Sequence, residues 1–107
     1  MSEFLLVLTT VPDEAKGREI ARALVEKRLA ACVTVTAEAG SFYRWKGKVC
    51  EDAERILLIK TRAELFPALE EALRSLHPYE VPELIALPVA QGAASYLNWL
   101  RDETGNP

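Results

Sequence analysis

His77 is the only histidine, and Cys32 and Cys50 the only cysteines, in 107 residues. Imidazole and thiolate are the common ligands of transition metals, so a metal reading begins with these three side chains. His77 opens the run His77-Pro78-Tyr79-Glu80-Val81-Pro82-Glu83, which sets two carboxylates close behind the imidazole. His77, Glu80 and Glu83 are therefore the candidate ligands for a divalent cation. No CxxC or HxxxH spacing exists, so a complete site inside one chain is not expected, whereas an assembly could build one from single ligands of different subunits. Other roles stay open for His77. It could be a helix-end imidazolium favoured by the helix dipole, an imidazole bonded to a carboxylate, or a general base. No Ser/His/Asp or Cys/His set is evident, and no glycine-rich loop could cradle a phosphate. No catalytic residue and no obligatory cofactor are assigned, and the chain reads as a non-enzyme.

Tyr43, Trp45, Tyr79 and Trp99 read as core or interface anchors, because large aromatics dominate buried contact area. The alternative is a cleft between subunits lined by some of them, with Lys60 and Glu80 as its polar groups. Glu51, Asp52 and Glu54 read as a solvated face, with weak divalent-ion binding as the alternative. Cys32 reads as a small core residue. A hairpin turning at Gly47 would put Cys50 opposite Arg44 and Cys32 opposite Arg62, too far apart for a disulfide.

The elements that position these residues follow from hydrophobic spacing. Phe4 to Thr10 is a short apolar run, the pattern of a strand covered on both faces. Asp13 is the expected N-cap of an amphipathic helix in which Gly17, Ile20, Ala21, Leu24 and Val25 share one side. Leu29–Thr36 and Ser41–Trp45 have strand character. Lys46-Gly47-Lys48 turns the chain, and Val49–Asp52 with Arg55–Lys60 forms a long return arm. A second helix runs from Glu64 to Leu76, with Pro67 confined to its first turn. Leu84–Val89 is the last strand, placed at an edge by Pro88, and a short helix from Ser95 to about Asp102 ends before Gly105. The expected fold is a single α+β domain over residues 1–107. It is a ferredoxin-like βαββαβ antiparallel sheet with a long central hairpin, both long helices on one face, and a short C-terminal helix.

Two helices cover only one face of such a sheet, yet Phe4–Leu8, Ile56–Ile59 and Leu84–Leu87 are apolar at consecutive positions. The second face therefore expects cover beyond the short terminal helix, and the hairpin offers free strand edges, so self-association is expected. A net charge of −3, with no Lys/Arg run, argues against nucleic acid as a partner. The amino terminus lacks a basic n-region, and no apolar run approaches the roughly 18 residues of a membrane span. With free thiols, the expected location is cytoplasmic.

Five pieces of the chain resemble the signatures of the CutA family, in that family's order. They are Leu29-Ala30-Ala31-Cys32-Val33, then Ser41-x-Tyr43-x-Trp45-x-Gly47 and Ile59-Lys60-Thr61, followed by His77-Pro78-Tyr79-Glu80-Val81-Pro82-Glu83 and Tyr96-Leu97-x-Trp99. The resemblance covers nearly the whole chain. It implies a tight homotrimer built through the hairpin and sheet edges, kinship in shape with the PII nitrogen regulator, and a role in divalent-cation tolerance that includes copper binding. It also leaves room for a PII-like signalling or scaffold trimer that holds a small effector or an unidentified protein partner between subunits. Some family members have a copper-binding cysteine at the end of the first strand. The matching position here is Thr9, a poor ligand for a soft ion.

Overall fold

The computed structural model describes residues 2–106. Their elements run β1 (Phe4–Val11), α1 (Glu14–Glu26), β2 (Cys32–Val35), β3 (Ala39–Trp45), β4 (Lys48–Arg62), α2 (Phe66–Leu76), β5 (Ile85–Pro88) and α3 (Ala94–Asp102). The fold is α+β, one antiparallel sheet with three helices. Four strands lie in the order β2-β4-β1-β5, and β3 pairs with the far half of β4.

Local chemistry sets the helix starts. The Asp13 carboxylate accepts the Lys16 N–H at 2.8 Å, closing the first turn of α1. Pro67 lies in the first turn of α2, where its missing amide leaves no hydrogen bond unmade. α1 lies close against the sheet because Gly17 has no side chain there. A β-carbon would come within 3.2 Å of Val11 and 3.3 Å of Val35. Between helices and sheet lie Val7, Val11, Leu57 and Ile59 from the strands, with Ile20, Leu24, Leu69 and Leu73 from α1 and α2. Pro88 ends an edge strand, since among the described residues β5 pairs with β1 alone.

The hairpin register differs from the expected one. Lys46 and Gly47 both have positive φ, 51° and 80°, so the loop is the two-residue type rather than a turn centred on Gly47. Trp45 then faces Lys48, and Cys50 lies opposite Tyr43 instead of Arg44. A second adjustment follows further along the same arm. Val35 pairs with Leu57, but Ala39 pairs with Glu54, so the β2–β3 arm carries one extra residue at the junction. Thr36 bridges that junction, with its Oγ1 accepting the Ile56 N–H at 2.9 Å while its own N–H donates to the Ile56 carbonyl at 3.0 Å. Cys32 consequently lies opposite Lys60 rather than Arg62. It is half-buried on the sheet face away from α1 and α2, not in the core, and both cysteines are free.

That second face is largely open. Leu6 pairs with Lys60 and Leu87, and Leu8 with Leu58 and Ile85, so these side chains share it. α3 covers one end, where Leu100 and Leu97 pack on Phe4 and Ala31. Ile85 and Leu87 remain 51% and 45% exposed. The far half of β4 has β3 on one side and no strand on the other among the described residues. This overhang stretches the molecule to 44 × 26 × 24 Å and raises its radius of gyration to 14.3 Å, against about 13 Å for an ordinary domain of this length.

Leu57 is fully buried where β1, β2 and β4 meet the helices. Leu57→Ala is expected to cost about 2–5 kcal/mol, measured as a lower urea midpoint at unchanged slope.

Candidate functional site

The candidate site is a groove between the hairpin and the segment 78–83. It has a volume of about 710 Å³, and Tyr43, Trp45, Asp52, Glu54, Tyr79 and Glu80 are among its lining residues. The hairpin register builds one wall. Facing residues of an antiparallel pair share a face, so Ser41 and Tyr43 stand with Cys50, Asp52 and Glu54. Had the turn centred on Gly47, Tyr43 would have shared its face with Glu51 instead.

The other wall begins at the end of α2. His77 N–H caps the helix by donating to the Leu73 carbonyl at 2.8 Å. Pro78 holds His77 in the extended region, which stops the helix and turns the ring back towards β1. His77 Nε2 lies 2.7 Å from the Thr10 carbonyl oxygen, and the Tyr79 N–H donates to Nδ1 at 3.2 Å. One nitrogen must donate and the other accept, which fits the neutral imidazole with its proton on Nε2. His77 is buried, with the Tyr79 ring against it at 4.7 Å between centroids. Neither of its partners is a carboxylate.

Tyr79 then reaches across the groove, and its hydroxyl donates to Glu54 Oε2 at 2.7 Å. Glu54 is only 7% exposed, so it does not belong to the solvated face expected for the acidic run. Tyr43 donates to Asp52 in a second phenol–carboxylate pair. Both phenols are pushed up. For Tyr43 the hydrogen bond to Asp52 is the main cause, and its value rises from 10.0 to about 12. For Tyr79 burial leads, followed by the bond to Glu54.

Of the residues singled out from the sequence, Tyr43, Trp45, Tyr79, Glu80 and Glu83 meet at this groove, with the two glutamates exposed. His77 lies behind it with both ring nitrogens engaged. Lys60 and Trp99 do not line it. Lys60 Nζ donates to Thr34 Oγ1 at 2.9 Å and to the Leu58 carbonyl at 3.3 Å, while Trp99 leans on Tyr96 in α3. Among the described residues, no three His, Cys, Asp or Glu side chains stand close enough to hold a metal ion. Sequence reasoning placed Glu54, the groove's most buried carboxylate, on a solvated face and missed its burial. The available signal was its i, i+2 spacing from Asp52, which aligns the two on one face of a strand.

Comparison with known proteins places this geometry. The model of the CutA1 divalent ion tolerance protein family matches residues 5–103. The chain belongs to that family. It is 55% identical over 100 residues to the divalent-cation tolerance protein CutA of Thermus thermophilus, covering 94% of this chain and 97% of that protein. It is 56% identical over 95 residues to protein CutA of Homo sapiens, covering 89% of this chain and 53% of the human protein. The solved structure of the Thermus thermophilus divalent cation tolerance protein superposes with a TM-score of 0.94 at 54% identity, covering 95% of this chain and 99% of that one.

The two phenol–carboxylate pairs carry a pH signature. The folded chain keeps phenol protons that the unfolded chain releases near pH 10, so stability is lost as pH rises from 10 through about 12. Phenolate absorbance should rise late in folded protein, and Tyr79→Phe should remove one late-titrating group. Equilibrium unfolding above pH 10 should show the matching loss.

Proposed function

We propose that this chain is a ferredoxin-like subunit of a homotrimer that serves divalent-cation tolerance, binding metal ions, Cu(II) among them, rather than catalysing a reaction. The observation that carries the reading is the open sheet face. Leu6, Leu8 and Leu58 lie on the face away from α1 and α2 and are only half-buried, and Ile85 and Leu87 stand exposed beside them. A contiguous apolar surface of this kind is what self-associating proteins bury between copies. The number three comes from the family resemblance.

His77 supports the non-catalytic side of the reading, because both of its ring nitrogens are engaged by backbone groups. Of the suggested ligands, Glu80 and Glu83 are the accessible ones, and a cation would draw further donors from a neighbouring copy. The free thiols suit the cytoplasm, and the net charge of −3 disfavours nucleic acid. No helix among the described residues is long and apolar enough to cross a membrane. A second reading, a PII-like signalling or scaffold trimer, is favoured by the groove, which could hold a small effector or part of another protein.

Sedimentation equilibrium should return three chains for the wild type and a smaller mass for Ile85→Lys/Leu87→Lys. Calorimetric titration of Cu(II) into chelator-treated protein should saturate. Saturation should persist in a folded His77→Gln variant and be lost in Glu80→Gln/Glu83→Gln. A one-chain mass would refute the assembly, and weak unsaturable heats in every variant would refute the metal reading.

A further inference from the structure

The groove's lining contains four carboxylates, Asp52, Glu54, Glu80 and Glu83, and no Lys or Arg. Three aromatic residues share it, Tyr43, Trp45 and Tyr79. Tyr43 and Trp45 are 41% and 39% exposed, although large rings are normally covered. Glu54 is the unusual member. It is more than nine-tenths buried, and among the described residues its carboxylate makes no ion pair and accepts one hydrogen bond, from Tyr79 to Oε2. A carboxylate so largely withdrawn from water loses much of its hydration without a charged partner in return. Elsewhere in the chain, exposed carboxylates such as Glu3, Glu14 and Glu70 sit on arginines.

We infer that the groove between the hairpin and residues 78–83 binds a small organic cation, an ammonium or guanidinium group on a short carbon chain. The charged head would meet the second oxygen of Glu54, which no described residue bonds, through a charge-assisted hydrogen bond. The carbon chain would lie against the rings of Tyr43, Trp45 and Tyr79, whose electron-rich faces attract cations. Glu80 and Glu83 at the rim favour entry of positive charge and suit a ligand with a second cationic end. A bare metal ion fits the site less well, since it gains little from ring faces and no three ligating side chains converge.

The test uses metal-free full-length protein of known mass, with n-butylguanidinium as the probe and 1-butanol as the uncharged control of equal chain length. Trp45 fluorescence, read in a Trp99→Phe background, follows groove occupancy, and calorimetry counts the sites. The expected result is saturable binding of one probe per chain, with no saturation by butanol. Glu54→Gln keeps an acceptor for the Tyr79 hydroxyl, so it should fold, yet weaken binding by about tenfold or more. Equal binding by Glu54→Gln, or by butanol, would overturn the proposal. So would failure to bind in an assembled protein whose Trp45 resists a soluble quencher and whose mass drops in Glu54→Gln. In that case a side chain of a second copy is the groove's cation. Because chelator is present throughout, these outcomes are independent of the copper titration.

Discussion

Strand β4 is the constraint on which the rest of the molecule depends. Its 15 residues pair with β1 on one side and with β2 and β3 in succession on the other. The half from Arg55 to Arg62 pairs with β1, with β2 on its other side along Leu57–Lys60, and its Leu57 and Ile59 sit at the centre of the core. Among the described residues the other half, Lys48–Glu54, pairs on one edge alone, with β3. One continuous strand therefore joins a core stabilised by hydrophobic burial to a hairpin that has almost none. Phe42 and Val49, both 69% exposed, show how little the hairpin buries by itself. An isolated two-stranded ribbon is marginal in water, so the arm calls for support from outside the chain.

The groove arises where these two halves meet. Glu54 is the last hairpin pair before β4 enters the core, and the segment after α2 folds back onto it through Tyr79. That fold-back is anchored by His77, whose ring spans from the end of β1 to the Tyr79 amide. The histidine most suggestive of metal chemistry thus shapes a wall, and the chemistry available to a ligand passes to the tyrosines and carboxylates in front of it. The open sheet face continues from the same side of β4, so the apolar surface suited to another copy and the acidic, aromatic groove are neighbours.

Much of this architecture was legible in the sequence, because it depends on local rules. The Asp13 cap, the place of Pro67, the edge position of Pro88 and the order of strands and helices follow from spacing and backbone chemistry. The register was not legible. A type I′ loop at Lys46-Gly47 instead of a turn centred on Gly47 shifts every hairpin pair by one, and the extra residue near Thr36 shifts the base again. Nothing in the local pattern of residues 36–39 announces that extra residue. The burial of Glu54 was hidden for a different reason, since its cover comes from Tyr79, 25 positions away. His77 is likewise closed off by the Thr10 carbonyl, 67 positions away. Contacts of that range depend on the assembled fold, whereas caps and turns do not.

The central claim is that β4 is completed by other copies of the chain. Hydrogen exchange across a dilution series tests it most directly, following the amides of Lys48–Glu54 that point away from β3. Protection comparable to that of Leu57 and Ile59 at concentrations where the protein is assembled, and lost on dissociation, is the predicted result. Fast exchange of those amides at every concentration, with a one-chain mass throughout, would contradict the account.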